Sequence, residues 1–479
     1  MSSNAKATFD VDVAVVGGGP GGLAMAAAIH AACNQDITVE VYESYKAYRL
    51  QGAGVLMQAN VQHALEAIHP KLLKKFETHS IKSRGVDMIL EDGTCDVSIP
   101  AVSSGTDQEL FDKYGKAPLL LGWHEIRQLL FDHLPDGIVH FDTQVTHYEE
   151  DEEGVTVHFS GKTPPRRAKL LVGADGYFSK VRTQCLDDGP PDFVGTVMWR
   201  ARVPWSEGMP HPHTGPARLF GNARPWPLDH KSRFGMLFKI GTLEDTKDRS
   251  WCWVLSAPIE LLRAAGVAFD PQAKDMKSLQ GESGGRDSAL RNAKQVFIDF
   301  PDSIMDIVRS TNPSTVTQHG LYMRDLGHNQ YSPTSAPPST PKQETPTKPM
   351  SKSSAVVHDD SSLESKEGKD EAWGKGCVTL LGDAAHATIP NGQGLSLAIE
   401  DAVVLAWHLQ QQGVCQSALR SYEKERPPRV KAIHEKGTDS ATPEDREGLL
   451  FKPYFKPLWR QQSPQDGQSS KHCIVNFDP

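Results

Sequence analysis

Two carboxylates and two glycine-rich turns are the residues in this chain whose types and spacing most directly imply chemistry. Gly382-Asp383 opens a segment that runs through His386, Pro390, Gly392 and Gly394 into Leu395. It joins an apolar strand, 378–381, to an apolar helix. A glycine turn at a helix start leaves backbone N–H groups free to face an anion, and Asp383 beside it can accept hydrogen bonds from hydroxyls. The pair suits a polyhydroxylated, negatively charged ligand. Near the other end of the chain, Gly17, Gly19 and Gly22 form G-x-G-x-x-G between an apolar strand, 11–16, and an apolar helix. This is the context in which the motif binds a pyrophosphate, with Gly17 for the tight turn, Gly19 for close backbone approach and Gly22 for helix–sheet packing. A second apolar strand, 37–42, ends at Glu43, where an acidic side chain is placed to bind ribose hydroxyls.

A third turn, Gly173-Ala174-Asp175-Gly176, ends the strand that contains 169–172 and precedes Ser179 and Arg182. Asp175 falls at the C-terminal edge of its strand, the usual ligand side of an open α/β sheet. Asp-Gly is also a common turn dipeptide, so this motif gains meaning from the other two.

Several elements must hold these turns together. Positions 155–159 read as a further strand, and 123–134 as a helix with Ile126, Leu129, Leu130 and Leu134 on one face. Strand patterns at 194–203, 233–240 and 251–255 make a strand-rich middle, followed by helical patterns at 296–309 and 395–412. The last places Leu395, Ile399, Ala402, Ala406 and Leu409 on one stripe, and Gly413 stops it. From Tyr331 to about Glu371 the composition turns to Pro, Ser, Thr and charge, which cannot bury enough apolar area to offset ordering entropy. That stretch reads as a disordered insertion.

At 479 residues the chain is long enough for two or three domains. A net charge of -9 disfavours nucleic acid or an anionic membrane as the main partner. The seven cysteines include no C-x-x-C pair and read as reduced thiols of a cytoplasmic protein. No apolar run approaches the roughly 18 residues of a membrane span. His211-Pro212-His213 has no further ligands clustered with it, so no metal site is expected.

Taken together, the ordered motifs resemble the class A flavoprotein monooxygenases, the group of p-hydroxybenzoate hydroxylase, salicylate hydroxylase, kynurenine monooxygenase and zeaxanthin epoxidase. Further matching residues are Arg49 with Gly52 and Gly54, Met198-Trp199-Arg200, Tyr322-Met323-Arg324-Asp325, and the 418–426 segment. The resemblance implies an α/β fold: a Rossmann-like FAD-binding domain with an inserted strand-rich substrate domain and a C-terminal helical part. The FAD-binding domain would comprise 1–83, 119–190 and 373–436, the substrate part 84–118 and 191–327, the insertion 328–372, and a C-terminal extension 437–479.

Carried over by residue, the family pattern puts Gly17, Gly19 and Gly22 at the FAD diphosphate, Glu43 at the adenosine ribose and Arg49 near the diphosphate and ribityl chain. Asp383 would bind the diphosphate–ribityl part, and Asp175 with Gly176 would serve both FAD and the reductant. Pro390, Gly392 and Gly394 would lie beside the flavin ring, with Leu395 opening the helix aimed at its pyrimidine. One departure stands out: Trp123 occupies the place where many relatives have an arginine, and Arg127 would replace it only if the helix shifts.

The implied reaction is hydroxylation or epoxidation of a small aromatic or unsaturated substrate. NADPH or NADH reduces FAD, and the flavin then delivers oxygen from O2 through a C4a-hydroperoxide. No second glycine motif for a nicotinamide domain is present. The alternatives are a FAD-dependent dehydrogenase or reductase on the same fold, and a flavin-binding protein whose insertion recruits partners. Trp199, Phe220, Trp226, Phe234, Phe238, Trp251 and Trp253 bring aromatic surface to the middle region; by strand alternation about a third of them are expected to line a substrate cavity. His386 is expected to pack or hydrogen-bond rather than act as a base, and no catalytic residue is assigned.

Overall fold

The computed structural model describes residues 8–33, 36–48, 54–82, 85–99, 106–206, 209, 217–221, 232–241, 250–271, 288–324, 373–388, 392–436, 442–455 and 457–458. Among the expected site residues, Arg49 and Pro390 lie outside this set, as do Trp226, the 211–213 histidine pair and the 328–372 insertion.

The strands expected around the glycine motif form the centre of a parallel sheet, in the order Val139–His140, Val39–Tyr42, Val11–Val16, Arg166–Gly173 and Val378–Leu380. Val11–Val16 is almost wholly buried, as expected for a strand covered on both faces. An antiparallel hairpin, Val145–Glu150 and Val155–Phe159, extends from the first half of Arg166–Gly173. The helix Pro20–Cys33 and the long helix Gly394–Gln412 both pack into the core of this sheet. A hydrogen bond from the Gln410 amide to the Ala32 carbonyl ties them together.

Residues of the strand-rich middle build a second, seven-stranded sheet. Asp192–Pro204 lies between Thr317–Met323 and Ser250–Pro258, and Phe234–Ile240, Ala217–Phe220, Val86–Ile89 and Cys95–Ile99 follow outward. One face carries Trp199, Trp253, Leu255 and Phe220 into a core shared with Leu290, Phe297 and Ile304 of the helical region behind it. The other face meets a three-stranded sheet that includes Gly54–Met57 and Leu119–Gly122, with Phe238, Ile240 and Cys252 packed against Leu120.

Two expected helices come out differently. The pattern at 296–309 is not one helix: Ser288–Val296 ends before Phe297, and Asp302–Arg309 starts after Pro301. Proline supplies no N–H and its ring clashes with the preceding turn of a helix, which favours a break at Pro301. The Leu395 stripe understates its helix, whose polar residues Ser396, Glu400 and Asp401 are buried along with the apolar ones. That helix is enclosed on every side, and its charged residues must therefore be paired inside the protein.

Candidate cofactor and substrate site

Register is what gathers the three turns. Tyr42 pairs with Val16, Val16 with Gly173, and Gly173 with Leu380, so four neighbouring parallel strands end in one row. Glu43, Gly17, Asp175 and Asp383 therefore leave the same C-terminal edge, where open α/β sheets bind ligands. A Cβ on Gly17 would sit 2.4 Å from the Ala174 carbonyl oxygen, and one on Gly22 would sit 2.0 Å from the carbonyl oxygen of Gly17. Gly17 also has φ of +108°, so packing and backbone both require glycine there. Gly19 is different. A Cβ there would meet nothing within 4 Å among the described residues, so packing against them does not require glycine at this position.

Glu43 is buried and held in place: Oε2 accepts from the Gly18 N–H at 3.0 Å and Oε1 from the Tyr45 N–H at 2.9 Å. Beside it, the hydroxyl of Tyr48 is buried without a hydrogen-bond partner among the described residues. The Arg127 guanidinium lies 4.0 Å from the Tyr48 ring centre and within electrostatic reach of Glu43. Burial lowers the Arg127 pKa. Its helix, Trp123–Phe131, places this cation near Glu43 from one turn inside, although Trp123 holds the helix start.

Asp175 first serves its own turn. Its carboxylate accepts from Ser179 Oγ at 2.5 Å and from the Lys180 N–H at 2.8 Å, which fixes the start of helix Lys180–Leu186. Burial raises its pKa, and these bonds oppose the rise. From that helix Arg182 donates to the carbonyls of Ala384 (3.1 Å) and Ala385 (2.6 Å), tying the Asp175 turn to the Asp383 turn. Arg324 adds a second tie, through its N–H to the Ala387 carbonyl at 2.8 Å and its guanidinium to the Tyr177 carbonyl at 3.0 Å.

Asp383 contrasts with Asp175. Its carboxylate makes no hydrogen bond or ion pair among the described residues, and it is exposed by surface area. Even so, surrounding protein desolvates it and raises its pKa. Both properties fit a side chain on the wall of a deep, solvent-open cleft. Gly392 has φ of +79° with free space where a side chain would be, and Gly394 opens the long helix with its virtual Cβ 3.7 Å from Asp383 Oδ1. No side-chain hydrogen bond among the described residues caps that helix, and its first turn, with Leu395, starts beside Asp383.

Behind the turn is a buried polar network. His386 Nε2 lies 2.6 Å from Asp401 Oδ2, which also accepts from the Gly382 N–H at 2.9 Å, while Arg426 Nε donates to Asp401 Oδ1 at 2.7 Å. Glu400 is bridged by Arg426 at 3.0 Å and Arg429 at 3.1 Å, and accepts from Asn60 at 3.1 Å. Burial pushes Asp401 upward, but the His386 ring and Arg426 hold its pKa below the ordinary range. His386 is thus a buried hydrogen-bonding residue, packed against Trp373.

Across from these turns lies the seven-stranded sheet. Of the aromatic residues there, Trp199, Phe220 and Trp253 face the helices, whereas Phe234 and Phe238 lie on the other side, in register with Ser256 and Cys252. Arg200 lies within electrostatic reach of Tyr177, and Tyr177 of Asp383, so this wall approaches the Asp383 turn. Tyr48, Tyr177, His319 and Ser256 were not singled out by sequence. Elsewhere, the side chains of His147, Glu149 and His158 meet within 4.8 Å on the hairpin, where cross-strand pairing brings together residues that linear spacing keeps apart.

Residues 10–187 and 307–436 match the family described as FAD binding domain. The chain is 26% identical over 438 residues to 3-amino-4-hydroxybenzoate 2-monooxygenase PtnB3 of Streptomyces platensis, covering 89% of this chain and 87% of that protein. It is 23% identical to 6-methylsalicylate 1-monooxygenase of Aspergillus terreus, covering 88% and 80%. Klebsiella pneumoniae HpxO, solved with FAD and uric acid, superposes with a TM-score of 0.62 at 20% identity, covering 92% of this chain and 89% of that one. At that identity the superposition speaks for the fold.

Proposed function

This chain belongs to the FAD-binding-domain family of flavoprotein monooxygenases, and from that premise we propose how its own residues hold the cofactor and which substrates it takes. The protein is a FAD-dependent monooxygenase acting on an aromatic or unsaturated compound. Bound FAD supplies acceptance of hydride from NADH or NADPH and the activation of O2. The Gly17–Gly22 turn and its helix start receive the diphosphate, with Gly19 keeping the approach open. Glu43 accepts from the adenosine ribose, and Arg127 with Tyr48 closes that end. Asp383 accepts from ribityl hydroxyls, Asp175 with Gly176 fixes the adjoining turn, and the Gly392–Leu395 start of the long helix faces the flavin pyrimidine. Its positive end stabilises negative charge on the reduced ring. Arg49 and Pro390 are assigned the same neighbourhood by the family pattern. In this reading 1–83, 119–190 and 373–436 bind FAD, and 84–118 and 191–327 supply the substrate wall.

The observation that carries the reading is Asp383, a desolvated carboxylate with no hydrogen bond or ion pair among the described residues, set where three strand-end turns converge. An ionised group in that setting is costly unless a ligand donates to it. Aromatic hydroxylation is the favoured reaction, because relatives matching most of the chain are 3-amino-4-hydroxybenzoate and 6-methylsalicylate monooxygenases. Purified protein reconstituted with FAD is expected to be yellow and to retain the cofactor through gel filtration. It should oxidise NADH or NADPH faster with the right aromatic substrate and place one atom of labelled O2 in the product. Reduction of substrate without label incorporation would instead indicate a reductase.

A further inference from the structure

The hairpin that extends the parallel sheet carries three side chains of metal-ligand type on one face. His147 pairs directly with His158 across the two strands, and Glu149 follows His147 by two residues, so all three project to the same side. Tyr148 and Val157, next to them in the two strands, point the other way into the core. A bulge falls at Thr146, where the register shifts between His158 and Phe159. The two imidazole rings stack with centroids 4.4 Å apart and planes 5° from parallel.

Hydrogen bonding within the hairpin does not account for this face. Nε2 of His158 is buried without a hydrogen-bond partner among the described residues, and Glu149 Oε1 stands 3.6 Å from it, beyond hydrogen-bond reach. One nitrogen of each ring and one Glu149 oxygen lie within 4.8 Å of one another. Bonds of about 2.1 Å from zinc to nitrogen and oxygen put neighbouring ligand atoms about 3.4 Å apart in a tetrahedral shell. The His158–Glu149 pair is already spaced for a shared ion, and rotation of the exposed His147 side chain closes the rest. The Thr146 hydroxyl lies 3.0 Å from His147 Nδ1 and 3.2 Å from the His158 carbonyl, which fixes the orientation of the His147 ring.

Charge favours a cation here as well. Glu149 opens an unbroken acidic run that ends at Glu153. Arg167, in one cross-strand row with Thr156 and Glu149, is engaged by Asp151 at 2.5 Å and by Thr156 at 3.2 Å. Glu149 is left without an arginine or lysine partner among the described residues.

We propose that His147, Glu149 and His158 form a binding site for a divalent first-row transition-metal ion, with water completing the shell on its open side. Two imidazoles and one carboxylate suit Zn2+, Ni2+ or Cu2+ rather than the oxygen-preferring Mg2+ and Ca2+. The ion clips the two strands of the hairpin together. It takes no part in the flavin chemistry: Val157 pairs with Arg166, seven residues before Gly173, so at about 3.3 Å per residue the site lies about 23 Å from the cofactor edge of the sheet. The site therefore stands whether or not the monooxygenase reading does.

The test titrates Cu2+, Ni2+ and Zn2+ separately into the tag-free full chain, with its FAD, after removal of adventitious metal by a chelator, and reads the heat of binding. One saturable site of submillimolar affinity is expected, tightest for Cu2+ and undisturbed by excess Mg2+. His147→Ala and His158→Ala should each weaken it at least tenfold and Glu149→Gln by less, whereas His213→Ala, in the other histidine pair of the sequence, should leave it within twofold. Electron paramagnetic resonance of the Cu2+-loaded protein should show nitrogen coupling from two imidazoles, reduced to one in His158→Ala. Far-UV circular dichroism and FAD content should match wild type in all the variants, separating a lost ligand from a lost fold. The proposal is overturned if no ion saturates a site, if the His147 and His158 variants bind as wild type does, or if His213→Ala abolishes binding.

Discussion

Two regions of this molecule bury charge in opposite ways. Behind the Asp383 turn, Glu400, Asp401, Arg426 and His386 form a network in which each member has a partner. Across the cleft, Arg200, His319 Nε2 and Ser256 Oγ have none among the described residues. Desolvation acts in both places; what differs is where the compensating partner comes from. A satisfied network is part of the architecture and holds the long helix Gly394–Gln412 against its neighbour. Groups without a partner among the described residues take theirs from elsewhere in the chain or from a ligand. Asp383 belongs with the second group although it is only a short turn away from the first.

The largest expected effect breaks the satisfied side. Arg426 is fully buried and bridges both acidic residues of the long helix, so Arg426→Met leaves Asp401 and Glu400 short of a counter-charge. Removing one member of a buried ion network costs about 3–5 kcal/mol, and the variant should lose that much unfolding free energy in urea titrations. A loss below about 1 kcal/mol would mean the network is not what supports this helix.

Asp383 should behave in the reverse sense. Because its carboxylate has no hydrogen bond or ion pair among the described residues, Asp383→Ala is expected to leave the apoprotein as stable as wild type or slightly more so. It should raise the FAD dissociation constant by a factor of about 10 to 100, the range for a lost hydrogen bond to a charged acceptor. Flavin fluorescence titration against apoprotein measures it. Unchanged FAD affinity, or a stability loss like that of Arg426→Met, would move Asp383 into the architectural group.

How much of this was legible in the sequence follows the same division. The glycine motif, Glu43, Asp175 and Asp383 were legible because backbone geometry and strand–turn–helix context impose residue types at short spacing. Their convergence was readable only through the resemblance, since the row of Tyr42, Val16, Gly173 and Leu380 depends on inter-strand register. Pro301 carried a visible signal for the helix break, and periodicity across 296–309 obscured it. The row of His319, Met198 and Ser256 joins strands far apart in the chain, so no local pattern marks it. Alternation implied that the middle aromatics divide between two faces, but which of them share a face with Phe234 and Phe238 required the register. Arg200 and Arg202 look alike in sequence; only the position of Glu125 distinguishes the paired one.

The smallest effect tests the unsatisfied side through pH. His319 has an ordinary histidine pKa when unfolded and one pushed down to about 3 when folded, by burial first and the Arg200 charge second. Below pH 6.5 the unfolded chain therefore binds a proton that the folded chain refuses, and stability must fall as pH falls. The loss amounts to about 1.4 kcal/mol at pH 5.5 and continues towards the folded pKa. His434, similarly buried and neutral with a pKa pushed to about 3, adds a parallel slope, so the difference between proteins is the quantity to read. His319→Gln should remove about 1.4 kcal/mol of the change in unfolding free energy between pH 7.5 and 5.5, whatever its stability at pH 7.5. Identical slopes in the two proteins would mean that His319 can gain a proton while folded. The cleft wall would then be wet or already paired, and its contrast with the Asp401 network would disappear.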